Sequence, residues 1–254
     1  MKIRTFAILI LTLLLAGAAG AAGKSAQAPL KIGHRGARAL VDENTLESMK
    51  KAAELKVDML EFDIQRTRDN VFVIMHDETV DRTTNGHGRI DQMTAAEFKA
   101  LQTKSGFHPP TLDEVLDWLE TNHLGFILDF KIPDPQAAED LVGVIEKRGL
   151  LKRTVFESPA PKIAGRVEKL KPEAITATYP TQQLAMVLLA DRYHIDQVSY
   201  NWHFATPGQV WLAHQRGHQV LVWTVDSRGL IRCFTRLKVD GIMTDDPNLF
   251  QPKK

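Results

Sequence analysis

Apolar segments of strand length alternate along this chain with segments of helical period. The strand-like segments run over Ile32 to His34, Met59 to Ile64, Phe126 to Lys131, Thr154 to Glu157, Ala174 to Thr178, Gln197 to Tyr200, Val220 to Val225 and Gly241 to Thr244. Helical spacing between them is marked by Leu46, Met49 and Ala53 after an Asn44-x-x-Glu47 capping box, and by Leu112, Val115, Leu116 and Leu119. Eight strand-helix units in a chain of 254 residues predict an α/β fold, a TIM (β/α)8 barrel. An open doubly wound sheet is the alternative. It usually has fewer strands and often a glycine-rich phosphate loop, and this sequence has no GxGxxG or Walker motif.

In the second strand-like segment Leu60, Phe62 and Ile64 alternate with Glu61 and Asp63. A strand there buries the apolar set and projects both carboxylates from the opposite face, roughly 7 Å apart at their roots. Two carboxylates on one face repel each other; a bound cation or a shared proton relieves the repulsion, and a solvated strand face is the bland alternative. A second apolar run, Val71 to Met75, leads to His76, and the Asp69-Asn70 dipeptide between the runs tolerates the positive φ of a tight turn. Pairing about that turn sets residue 68 against 71, 66 against 73 and Asp63 against His76. On a barrel this makes a small β-hairpin arm at the C-terminal mouth that returns His76 to the rim. Catalytic groups of such barrels gather at strand C-termini, where this sequence has His34 and Arg35, Glu61 and Asp63, Asp129 and Lys131, and Trp223.

The N-terminus changes the picture of location. Lys2 and Arg4, an apolar run from Phe6 to Leu15 and small residues from Ala16 to Gly23 have the layout of a secretory signal. Residues 1–28 are therefore expected to be a signal peptide and short leader, and 29–254 a single catalytic domain, exported to the periplasm or medium. The apolar run falls short of the roughly 20 residues of a membrane span, so no stable membrane insertion is expected after cleavage. A net charge of +1 with dispersed Lys and Arg argues against a nucleic-acid partner. The single cysteine, Cys233, cannot form an intramolecular disulfide, and its neighbours Leu230, Ile231, Phe234 and Leu237 suggest a buried helix position.

Several ordered motifs span almost the whole chain after the signal: Gly33-His34-Arg35-Gly36, Glu43-Asn44-Thr45, Glu61-Phe62-Asp63, His76-Asp77, Leu128-Asp129-Phe130-Lys131, Trp223-Thr224-Val225 and Gly241-Ile242-Met243-Thr244-Asp245-Asp246-Pro247. In this order and spacing the sequence resembles the glycerophosphodiester phosphodiesterase family. The resemblance implies a TIM-barrel, metal-dependent enzyme that cleaves glycerophosphodiesters to glycerol 3-phosphate and an alcohol. Two departures stand out. The family pattern usually has glutamate at 129, where Asp129 is one methylene shorter, and commonly proline at 42, where this chain has Asp42.

The residue chemistry agrees with that implication. Phosphodiester cleavage needs a base, an acid and positive charge around phosphate. His34 and His76 are the acid and base candidates, since imidazole titrates near neutrality. The other seven histidines, His87, His108, His123, His194, His203, His214 and His218, are expected in loops or at the surface. Arg35 and Lys131 are candidates to bind phosphate, with ion pairs to Glu43 and to Asp129 or Glu61 as their structural alternatives. Glu61, Asp63 and Asp129 offer hard oxygen ligands to one divalent cation, Mg²⁺ or Ca²⁺. Trp223 would wall the glycerol carbons and Asn44 would hydrogen-bond at the mouth. The 86–91 loop and Tyr200-Asn201-Trp202 are expected to select the leaving alcohol. A lysophospholipase D-like enzyme on the same barrel, with Trp202, Phe204 and Trp211 as an acyl track, and a non-catalytic exported phosphate-ester binding protein are the competing readings. Serine-hydrolase chemistry is disfavoured by the lack of GxSxG.

Overall fold

The computed structural model describes residues 28–252, so the signal expectation for residues 1–28 falls almost wholly outside the described residues. Eight parallel strands close into a barrel: β1 (Leu30–His34), β2 (Met59–Arg66), β4 (Gly125–Phe130), β5 (Thr154–Ser158), β6 (Ile175–Thr178), β7 (Gln197–Asn201), β8 (Gln219–Trp223) and β9 (Gly241–Thr244). Closure comes from β1, which pairs with both β2 and β9. Helices α1 (Leu46–Glu54), α3 (Leu112–Glu120), α4 (Pro135–Lys147), α5 (Pro161–Leu170), α6 (Met186–Tyr193), α7 (Pro207–Gln215) and α8 (Arg228–Arg236) form the outer layer.

The period-2 alternation of each strand divides its side chains between two buried layers. Outward-facing Leu60, Phe62, Ile64, Phe126 and Leu128 pack under Met49, Ala52, Val115, Leu116 and Leu141 of the helices, with the Phe62 and Phe126 rings stacked at 5.9 Å. Inward-facing Ile32, Ile127, Val155, Ala177, Leu221 and Met243 fill the lumen. The face opposite the apolar set of β2 is therefore the lumen rather than solvent, and Glu61 and Asp63 are almost wholly buried in it.

Past the mouth, β2 changes partner. Its lower half bonds to β1, while Ile64, Gln65 and Arg66 pair antiparallel with Ile74, Val73 and Phe72 of β3 (Phe72–Ile74). The expected arm is thus present but larger than a hairpin. Residues 67–111 also hold α2 (Ala95–Lys99), and Val73, Met75, Val80, Ile90 and Phe98 form an apolar cluster of their own. The hairpin register corrects the expected one by a single residue. The loop has three residues, with Thr67 N donating to Val71 O and Asn70 at φ 65°, so Met75, not His76, lies opposite Asp63.

Two further expectations are corrected. Thr45, not Asn44, caps α1, its hydroxyl accepting from Ser48 N at 3.1 Å; Asn44 is engaged elsewhere. Cys233 is exposed, because α8 buries Phe234 and turns the neighbouring position outward. Among the described residues no helix is long and apolar enough to cross a membrane.

Candidate active site

At the top of the lumen the polar strand ends converge. His34 ends β1, and the chain then makes a tight turn through Arg35 (φ 52°) and Gly36 (φ 83°). A Cβ on Gly36 would lie 2.4 Å from Ser48 Oγ, and one on Gly33 would lie 2.6 Å from Gly36 O, so both positions of the motif require glycine. The turn aims Arg35 N at Glu61, which accepts at 2.8 Å. Its side chain reaches Glu43 at 2.8 Å and Asp63 at 3.3 Å. Asp42, at the family's proline position, accepts from Ser105 N at 2.9 Å and ties this loop to the 67–111 excursion.

Glu61, Asp63 and Asp129 each present an oxygen within 4.8 Å of the others'. Strand register explains this: Asp63 faces Asp129 across β2 and β4, and His34 faces Glu61 across β1 and β2. Burial, reinforced by Asp63 and Asp129, pushes the Glu61 carboxyl well above the usual carboxylate range. Burial likewise lifts Asp129, to about 6, against the pull of Lys131. In Asp63 the opposing cations Lys131 and Arg35 overcome burial and hold it at about 2. Asn44, in the left-handed region at φ 57°, donates to Asp63 Oδ2 at 2.8 Å and accepts from Asp63 N at 3.3 Å. Its amide is thus committed to a carboxylate rather than free at the mouth.

Lys131, one residue past β4, contacts Asp129, lies 3.2 Å from Asp63 Oδ1 and donates to Tyr179 Oη at 2.7 Å. Tyr179 in turn donates to Asp129 at 2.7 Å and meets Trp223 edge-on at 5.5 Å between ring centres. Trp223 Nε1 donates to Ser199 O at 3.2 Å, fixing the indole against the lumen wall.

One expected histidine ends β1 and the other follows β3, two strands that line the same edge of β2, and each is oriented by an aspartate. His34 Nδ1 is 2.6 Å from Asp245 Oδ1, which leaves Nε2 turned to the lumen, 3.8 Å from Glu61. His76 Nδ1 is 2.7 Å from Asp77, which is held by Arg82 Nε at 2.5 Å. Burial lowers the His76 pKa, partly offset by Asp63 and Asp77. Arg82 also grips Glu43 through both terminal nitrogens, at 2.8 and 3.0 Å, linking the arm to the Arg35 turn. Of the remaining histidines, His218 lies in a loop as expected but is buried, bonded to Ile195 O at 2.9 Å and Asp191 at 3.0 Å.

Beside Lys131 a cleft of about 380 Å³ opens under the arm, lined by Gln65, Arg68, Arg89, Asp91, Lys131 and Asp134. The 86–91 loop contributes to it, whereas Tyr200 is fully buried. Sequence reasoning missed Glu157, Tyr179 and the task of Asn44. Glu157 and Tyr179 belong to strand ends whose register only the closed barrel defines; the sole hint was a carboxylate ending an apolar strand segment.

The model of the glycerophosphoryl diester phosphodiesterase family matches residues 34–249 of this chain. A glycerophosphodiester phosphodiesterase of Caldanaerobacter subterraneus subsp. tengcongensis is 32% identical over 234 residues, covering 86% of this chain and 94% of that protein. One from Bacillus subtilis is 29% identical over 253 residues, covering 89% and 86%. The crystal structure of a glycerophosphodiester phosphodiesterase from Parabacteroides distasonis has a TM-score of 0.80 at 25% identity, over 90% of this chain and 97% of that one.

Proposed function

The chain belongs to the glycerophosphoryl diester phosphodiesterase family, and from that premise we propose that it hydrolyses glycerophosphodiesters to sn-glycerol 3-phosphate and an alcohol by cation-assisted histidine catalysis. The observation that carries the reading is the buried trio Glu61, Asp63 and Asp129, converging within 4.8 Å at the mouth that also holds two aspartate-oriented histidines. The trio fits a cation: three buried carboxylates repel one another, and an all-oxygen donor set suits Mg²⁺ or Ca²⁺. Such an ion, when bound, supplies positive charge to a phosphate oxygen and favours ionisation of a nearby hydroxyl.

The chain's own groups do the rest. Arg35 and Lys131 neutralise phosphate oxygens, while Trp223 packs against the glycerol carbons. His34 removes the proton of the glycerol 2-hydroxyl, whose oxygen attacks phosphorus to give a cyclic phosphate. His76 protonates the departing alcohol oxygen, and the two histidines exchange roles as water opens the ring. An internal nucleophile is favoured because effective molarities of about 10⁵ M or more are open to well-placed neighbours. Asp245 and Asp77 keep the two imidazoles in register with these tasks. The cleft under the arm accommodates the leaving alcohol.

Release of glycerol 3-phosphate from glycerophosphocholine, assayed in EDTA and then with added Mg²⁺ or Ca²⁺, tests the reading. Cation-dependent release is expected, with His34→Ala and His76→Ala each lowering kcat by about 10²–10⁴. Undiminished turnover in either variant would remove that histidine from the mechanism. A substrate analogue without the 2-hydroxyl should not react; normal turnover would exclude the cyclic phosphate.

Exposed Phe204 and Trp211 favour a second substrate class, lysophospholipids, for which stimulation by detergent or lipid is the discriminating measurement. The signal-like N-terminus supports action outside the cytoplasm, where such an enzyme scavenges phosphate and glycerol phosphate from degraded lipids. N-terminal sequencing of the exported protein tests that.

A further inference from the structure

One lumen acid has no task in the mechanism above. Glu157, the penultimate residue of β5, is paired in register with Asp129 of β4, so the two side chains share the inward face of adjacent strands. It is 3% exposed, and its Oε1 has no hydrogen-bond partner. A buried carboxylate oxygen without a donor is costly unless a ligand brings charge or a hydrogen bond to it. The lumen floor beneath, made of Ile127, Val155 and Ala177, offers no donor. The charged and phenolic donors Lys131 and Tyr179 are already turned to Asp129, which leaves beside Glu157 only the neutral hydroxyl of buried Ser199, itself without a hydrogen-bond partner.

Charge counting points the same way. At this level of the lumen four carboxylates, Glu61, Asp63, Asp129 and Glu157, face two full positive charges, Arg35 and Lys131. Arg35 is moreover shared with Glu43. With all four ionised, the excess of two negative charges is what one divalent cation would neutralise. We propose that Glu157 is a fourth carboxylate of the cation site, completing from β5 the set that β2 and β4 begin. This rests on the cation reading above and extends it to a residue outside the trio.

Calorimetric titration of the EDTA-stripped, dialysed protein with Mg²⁺ and with Ca²⁺ tests it. The wild type should take up one ion, and Glu157→Gln should bind it at least about tenfold more weakly. Glu54→Gln, an exposed carboxylate on α1, should bind as the wild type does. Thermal unfolding with and without the ion provides a second readout: the rise in Tm on ion addition should shrink in Glu157→Gln. Should the glutamine variant not fold, Glu157→Met, similar in volume and uncharged, serves the same comparison. A folded Glu157 variant with wild-type ion affinity would overturn the proposal while leaving the trio standing. Failure of the wild type to bind either ion would overturn the cation reading and this inference together.

Discussion

At the scale of single residues, the site is built from side chains that hold other side chains. Asn44 illustrates it: its left-handed backbone lets both ends of one amide address Asp63, fixing the carboxylate by its oxygen and its backbone N–H. Asn44→Ala removes this grip without removing a charge, so ion affinity should fall by about 10–100-fold. Titration calorimetry would measure it, and an unchanged affinity would reduce Asn44 to a packing residue. Glu43 is held in a similar way. Burial pushes its carboxyl up, but Arg82 and Arg35 outweigh burial and hold it at about 2. Its stabilising contribution is therefore fully present above the unfolded value of about 4.5 and is lost as pH falls toward 2. Glu43→Gln should consequently flatten the decline of Tm between pH 4.5 and 2, by an amount equivalent to up to about 3 kcal/mol. Acid unfolding curves of the two proteins that run parallel would refute this.

At the scale of elements, the turn after β1 shapes the mouth, since it aims Arg35 N at Glu61 immediately beyond the inward-facing His34. Gly36→Ala would force a Cβ into Ser48 at φ 83°, at a cost of about 2–4 kcal/mol by urea denaturation. Wild-type stability in that variant would mean that the turn yields more easily than its contacts imply. Strand elements were also what the sequence disclosed best. Runs such as Met59 to Ile64 and Gly241 to Thr244 alternate or concentrate β-forming residues, and every observed barrel strand begins and ends within two residues of the expected one, the widest differences being the start of β1, the end of β2, which runs on to Arg66 in the arm, and the end of β8. The turn at Asp69-Asn70 was legible as a turn but not as a three-residue one, because asparagine suits the left-handed position of either geometry. That single extra loop residue shifts the partner of Asp63. Glu157 was illegible for a related reason: a carboxylate at a strand end has no meaning until register assigns its neighbours.

At the scale of the molecule, the described residues comprise one barrel and an excursion that packs mainly upon itself. Val73, Met75, Val80, Ile90 and Phe98 touch neither the lumen layer nor the set beneath the outer helices. Truncating fully buried Phe98 to alanine costs about 3–5 kcal/mol, and because the cluster is separate the loss should stay local. Hydrogen exchange should accelerate at residues 67–111 with the barrel strands unchanged, and kcat should fall through His76. Acceleration spread evenly over both parts would show that they unfold as one. The sequence conveyed the barrel through its repeating strand-helix period, but not the extent of the excursion, whose short elements have no period to announce them.

The separate packing of the arm has a consequence for how such an enzyme diversifies. Beyond Phe72 and Ile74 of β3, residues 67–111 line the cleft beside Lys131 while contributing little to the layers that hold the barrel closed. Substitutions, insertions or exchanged loops there can alter which alcohol is admitted without drawing on the stability of the scaffold or moving the carboxylates. New substrate preferences can therefore arise by drift in the parts of one cassette away from His76 and Asp77, while the rest of the chemistry is inherited intact from the strand ends beneath it.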